Sequence, residues 1–309
     1  MKLTLPKQAR GNLYLLCASF IWGTAFVAQS VGMEYVGPFT FVAVRSFIAA
    51  FSLLLVSLLQ KRRKRQRGLP TKLRPEQKRS LLRGSLFCGL LLTVGSTLQQ
   101  IGMLHTTVGK AGFLTALYIL LVPLAGMLMG RRPRPALWLA IALAVAGLYL
   151  LSIRGDFSIG GADLLIILCA VVFTAHILMV DHYSPRVSGV SFSLLQFLIM
   201  GLLAAVPMLL YEKPRLSDIL RAWLPLLYAG VLSSAVANTL QIVAQRLTIP
   251  TVASLLMSME SVFALLGGMV ILGQIPTARE ALGSALMLAA IIFAQIVQLH
   301  PKEKIHETV

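Results

Sequence analysis

The sequence predicts an all-α integral membrane protein: ten transmembrane helices arranged as two inverted five-helix repeats, with both termini in the cytoplasm. Three observations predict this class: apolar stretches that recur along the chain, a lopsided distribution of Lys and Arg, and an internal repeat. Of the 309 residues, 57% are hydrophobic and 13% charged, about half the roughly 25% charged share of soluble globular proteins. A soluble domain of this length lacks the polar skin it needs. The apolar stretches run to about 20 residues each, the length that crosses a hydrocarbon core of about 30 Å.

The spans fall at 12–31, 39–60, 82–103, 110–130, 135–153, 161–181, 190–211, 221–243, 250–273 and 279–299. Pro38, Pro135 and Pro250 open spans two, five and nine, where a missing backbone donor costs least. Basic residues precede the first span, but its apolar segment is too long for a signal peptide and no clean cleavage site follows. It is therefore read as the first membrane helix.

Orientation follows from Lys and Arg, which accumulate on the cytoplasmic side. With the N-terminus inside, 21 of the 28 basic residues lie on inside segments and 6 on outside ones, with Arg45 inside span two. Eleven of them lie between Lys61 and Arg83, around a basic cytoplasmic loop at 61–81. Aromatic residues do not interleave with this run, so a stacking platform for bases is absent. The net charge of +17 is thus a topology signal that also suits anionic lipid headgroups, not a nucleic-acid footprint. Cys17, Cys88 and Cys169 sit singly in apolar spans and read as packing residues, with no disulfide or metal pattern.

The chain repeats itself. QQIGMLHTTVGKAGFLTAL from Gln99 aligns without gaps on QIVAQRLTIPTVASLLMSM from Gln241, and GRRP at 130–133 matches GQIP at 273–276. The halves are 1–155 and 156–309, five spans each. An odd number of spans per repeat forces opposite orientations in the membrane. Inverted repeats are typical of alternating-access carriers, whose substrate sites lie near the midplane between the halves.

Polar groups inside spans mark candidate sites, because they are costly in lipid. Of the eleven acidic residues, Glu260 alone lies near the centre of a span. It reads either as a proton-coupling or substrate-contact carboxylate, or as a structural hydrogen-bond partner of a neighbouring helix at a bend. Arg45 reads as snorkelling, as structurally paired, or as an anchor for an anionic group. His176 is a proton-relay or packing residue. Ser234, Asn238, Gln241 and Gln245 share one face of span eight, and Ser96 and Gln99, with Gln100 adjacent, sit at the related place in span three. Trp22 and Gln29 share a face of span one. Such stripes glue helices together or line a wet path. Trp22 and Tyr118 offer rings that stack on a planar solute or pack in the core. Ala281, Ala285 and Ala289 in span ten, with Ala140 and Ala144 in span five, allow close helix approach, inside the bundle or between two chains. Pro123 is expected to bend span four, as a hinge.

The run WGTAFVAQSVGMEYVGPFTFVAVR at 22–45, with LQIVAQ at 240–245 and ASLLMSMESVFALLGGMVILGQ at 253–274, resembles the EamA-type family of the drug/metabolite transporter superfamily, over the whole chain. That resemblance implies a ten-helix carrier that exports small metabolites or drugs, and it names no substrate. Members often carry an acidic residue after the glycine that closes span four. Here Arg131 stands there, and Gln274 at the matching place in span nine. Many relatives hold the residue matching Glu260 in a Glu-Pro-Val-Phe context, which favours its structural reading.

The function expected is a secondary transporter in a bacterial inner membrane, possessing no cofactor and working as a monomer or homodimer. Its partners are the bilayer, a small solute and protons or a counter-solute. A Walker motif is absent, so ATP is not its direct energy source. A membrane-embedded enzyme would need a catalytic set, and HExxH, GxSxG and paired mid-membrane aspartates are absent. A channel would need symmetric pore-lining rings.

Overall fold

The computed structural model describes residues 6–106, 108–131, 133–152, 160–272 and 275–299. These residues form helices and connections, with no strand among them. Among the described residues nine segments are long and apolar enough to cross a membrane, and a tenth, Pro135–Leu151, is apolar but shorter. Large apolar side chains such as Phe51, Leu202, Leu209 and Ile292 lie exposed on the outside, where a bilayer covers them. Arg132, Arg154, Gln274, Lys302 and Lys304, used above for orientation and for the repeat, lie outside the described residues.

Span one is Lys7–Gly32, span two Pro38–Gln66, span three Pro75–Gly102 and span five Pro135–Ser152. Span six is Gly161–Tyr183 and span ten Ala278–Leu299. Span seven, Gly189–Pro207, continues to Glu212 with π-helical winding. Span eight joins Trp223–Leu227 and Asn238–Ala244 through a π-helical stretch, Tyr228–Ala237. The prolines stand in the first turns as expected.

The expected loop at 61–81 is mostly helix. Span two runs on to Gln66 and span three begins at Pro75, which leaves only a short link. Lys, Arg and Gln are good helix formers once outside lipid. Arg63, Lys64 and Arg65 in the last turn of span two also complement the helix dipole. At the opposite end of span two, Glu212 caps the helix from the other half. Its carboxylate accepts from the N–H groups of Phe39 at 2.8 Å and Thr40 at 2.7 Å, and from Thr40 Oγ1 at 2.6 Å. Those donors have no partner within their own helix.

Helices trade places between the halves. Span one packs chiefly against spans eight and nine, and span six against spans three and four. Span two lies along span seven, span three also meets span seven, and span five lies along span ten. The largest apolar core gathers residues of both halves, among them Leu15, Leu114, Ile119, Ile177 and Leu256.

Candidate functional site

Spans four and nine are each interrupted, and the interruptions match. Span four runs Val108–Thr115 and resumes at Tyr118; span nine runs Pro250–Met257 and resumes at Glu260. In span four, Leu117 N–H donates to Leu114 O at 3.4 Å and Ile119 N–H to Ala116 O at 3.0 Å. In span nine, Met259 N–H donates to Leu256 O at 3.3 Å and Ser261 N–H to Ser258 O at 3.2 Å. Each bond lies at the same 142-residue offset that separates Tyr118 from Glu260. Pro123 sits inside the second piece, Tyr118–Leu128. The break lies upstream of it, in a segment without proline in either half.

Broken helices free backbone carbonyls, which must find donors in a low-dielectric interior. Ser19 Oγ of span one lies 2.8 Å from Leu256 O, beside the break in span nine, and 2.8 Å from Leu15 O of its own helix, so its one hydrogen serves either acceptor. Gly23, one turn further along span one, lies against Glu260 itself. A Cβ there would come within 2.4 Å of the Glu260 carbonyl oxygen, so only glycine admits this approach.

The two residues that restart the helices touch one another. Tyr118 Oη donates to Glu260 Oε1 at 3.0 Å, with both side chains buried. Repeat-related residues meet in this way only where two related segments converge.

Around this pair opens a cavity of about 110 Å³. Of the residues singled out above, Trp22, Gln29, Arg45, Gln99, Tyr118, His176, Asn238, Gln241 and Glu260 all line it. Gln100 does not. It follows Gln99 on the helix, turns to another face, and is fully buried with neither amide atom partnered. Gln245, at the end of the span-eight stripe, is also diverted, its Nε2 donating to Ile177 O at 3.1 Å.

Each lining group is held differently. Trp22 Nε1–H donates to Ser233 O at 3.1 Å, in the π-helical stretch of span eight. Gln99 Nε2 donates to Thr115 Oγ1 at 3.1 Å, just before the break in span four. His176 Nε2 lies 2.9 Å from Gln196 Oε1. Gln29 Nε2 donates back to Ala25 O at 3.3 Å. The Arg45 side chain is buried in the protein, its Cζ 5.9 Å from the Phe41 ring centre. Among the described residues it forms no ion pair, with Glu260 or any other carboxylate.

Other lining residues had no distinct signal in the sequence. Phe26, Phe173, Phe197 and Met257 form apolar walls, but a phenylalanine facing a cavity and one in a core look alike in a helical pattern. Ser233 and Thr115 were likewise hidden. The alanines of span ten divide from those of span five: Ala140 and Ala144 are buried, whereas Ala281, Ala285 and Ala289 face outward. Spans five and ten instead meet through Gly147 and Gly283. A Cβ on Gly147 would lie 2.6 Å from Gly283 O, and one on Gly283 would lie 2.5 Å from Gly147 O.

Two ion pairs tie span four to span six, one at each end. Lys110 Nζ lies 2.6 Å from Asp163 Oδ2, and Thr106 Oγ1 donates to Asp163 Oδ1 at 3.1 Å. At the far end Arg131 Nη2 lies 2.7 Å from Asp181 Oδ2. Arg131 thus takes its acidic partner from the neighbouring span.

A multi-pass helical bundle with a polar-lined cavity at paired helix breaks belongs to the class of membrane transporters. The EamA-like transporter family model matches the chain twice in succession, at residues 9–153 and 160–295. The protein belongs to that family. It is 28% identical over 291 residues to a protein of Archaeoglobus fulgidus named "Uncharacterized transporter", covering 94% of this chain and 87% of that one. It is 26% identical over 290 residues to "Uncharacterized inner membrane transporter YedA" of Escherichia coli (strain K12), covering 91% and 89%. A solved structure, "Crystal structure of protein", superposes with a TM-score of 0.77 at 19% identity, over 95% of this chain and all of that one. That likeness concerns the fold alone.

Proposed function

We propose that the protein is a secondary transporter that exports small organic solutes by alternating access. Its substrate site is the cavity around Tyr118 and Glu260. The two halves, 1–155 and 156–309, act as inverted repeats, with both termini in the cytoplasm of a bacterium and the spans in its inner membrane. The observation that carries this reading is the matched interruption of spans four and nine, whose restart residues meet at the cavity. Discontinuous helices facing each other near the midplane suit a carrier, because they free polar groups for a solute and let each half-helix tilt. The exchange of partners supports the same reading: the span three to six contact has its counterpart in eight to one, and four to six in nine to one. A pseudo-two-fold axis in the membrane plane produces such pairs.

Trp22, Gln29, Gln99, Tyr118, His176, Asn238 and Gln241 serve as solute contacts in this reading. Glu260 is the coupling group, exchanging a proton when its bond to Tyr118 opens. Arg45 and His176 are the other titratable groups on the same cavity. The bond to Tyr118 also favours a second reading, in which Glu260 pins the two breaks together and takes no proton through the cycle.

The test begins with a thermal-shift screen of purified protein against amino acids, sugars, nucleosides, polyamines and cationic drugs. A ligand that binds the folded state raises the melting temperature by mass action. Hits go into proteoliposomes under an imposed pH gradient. Saturable, gradient-driven flux is the expected result. Steady single-channel currents in planar bilayers would instead establish a channel and end the carrier reading.

A further inference from the structure

We propose that the cavity selects solutes bearing a single carboxylate on an apolar body, with Arg45 as its anchor. This deepens, and rests on, the reading of the cavity as the substrate site.

Arg45 is only 6% exposed, yet its guanidinium lines the cavity. Its Nε is buried with no hydrogen-bond partner, and no carboxylate lies within ion-pair distance among the described residues. The Phe41 ring at 5.9 Å offers weak compensation. The rest of the guanidinium faces the cavity, and a fixed cation there with no carboxylate beside it gives an entering anion its partner. Arg45 lies seven residues inside the helix that starts at Pro38, about 10 Å deep at a rise of about 1.5 Å per residue.

The charge of the ligand follows from what else lines the cavity. Arg45 is its one Lys or Arg. His176 is engaged with Gln196. Glu260 lines the same cavity, bonded to Tyr118, and the cavity carries its net positive charge in the state in which Glu260 holds its proton. One guanidinium neutralises one negative charge, and its planar fork fits the two oxygens of a carboxylate. A phosphate dianion would leave a charge unmatched in the same apolar surroundings. The size and walls of the cavity require an organic body. Trp22, Phe26, Phe173 and Phe197 surround a space far larger than a chloride ion fills. Gln29 Oε1 and Asn238 Oδ1 are also buried without partners. They would accept from N–H or O–H groups carried elsewhere on the solute.

The test compares 3-phenylpropanoate, 3-phenylpropanamide and 3-phenylpropylamine, three probes of one shape and charges of minus one, zero and plus one. Binding is measured by thermal shift and by titration calorimetry on the full-length protein in detergent. The carboxylate is expected to bind at least about tenfold tighter than the amide, with the amine weakest. Arg45→Gln should erase that preference, and Arg45→Lys should keep part of it. The amide comparison needs no variant, so the proposal stays testable if Arg45→Gln fails to fold. Equal binding of all three probes overturns the anion assignment, as does a carboxylate preference unchanged in Arg45→Gln. Asn238→Leu separates this from the broader reading. If the three probes bind equally and Asn238→Leu weakens them all, the cavity remains the substrate site while the anion assignment is lost. If no probe binds at millimolar concentration and Asn238→Leu changes nothing for hits of the wider screen, both readings fall.

Discussion

Spans four and nine and spans five and ten are related pairs built on opposite principles. In the first pair the helices break, leave hydrogen bonds to be completed from other spans, and face a cavity. In the second they are continuous, and Gly147 and Gly283 bring the backbones into direct contact. One pair holds polar groups whose partners can change. The other is a seam with no room to change. A transporter needs both, since motion at a site is productive only against something that stays packed. The difference lies in a few side chains: glycines where the seam closes, and Tyr118 and Glu260 where the helices restart.

The comparison can be broken at several places. The largest effect is expected from Gly283→Leu. The added side chain must displace the backbone of span five, and little monodisperse protein should survive extraction in detergent. Full yield with an unchanged melting temperature would show that the seam is looser than drawn. Next comes Glu260→Gln. If Glu260 exchanges protons, flux driven by a pH gradient should fall at least about tenfold while solute exchange persists. An unaltered pH dependence leaves Glu260 its structural role alone. Tyr118→Phe removes the donor that bridges the two breaks, and a cost of about 1–3 kcal/mol is expected for a buried acceptor left alone, read as a lower melting temperature. Asn238→Leu and Gln241→Leu should weaken solute binding severalfold without blocking membrane insertion; full activity in both would move the path elsewhere. The smallest effect belongs to Arg131→Gln. Its side chain is 41% exposed, so the loss should stay within about 1 kcal/mol.

Much of this arrangement was legible in the sequence. Hydropathy and Lys/Arg placement located the spans, and the gapless match from Gln99 and Gln241 put Tyr118 and Glu260 one step beyond its ends. What alignment could not say is that equivalent residues would touch, because equivalence fixes an operation and not a distance from its axis. The structural reading of Glu260 placed a bend in span nine, but the break in span four left no mark. Ala116-Leu117 and Ser258-Met259 contain neither Pro nor Gly, and the proline that drew attention, Pro123, lies within a continuous piece. The π-helical stretch in span eight left no mark either, since its serines and alanines suit either winding. Ala281, Ala285 and Ala289 face outward, so of the two readings given for them close approach inside the bundle does not apply. Regular spacing of small residues describes a face, and the neighbour that uses it is set by the rest of the bundle. Here Gly283, two residues from Ala281, made the contact.

The exchange of spans one and six between the halves has a consequence for how the protein is made. Ser19 reaches the carbonyl of Leu256, 237 residues later in the chain. At a synthesis rate of about 5–20 residues per second, span one waits about ten to fifty seconds in the membrane before that acceptor exists. During that interval its Ser19 face and the close-packing surface at Gly23 have only lipid, other spans or membrane chaperones for company. The first half is therefore a unit of sequence but not a unit of folding, and a chain halted after span five would carry an unmatched helix surface that quality-control proteases can recognise.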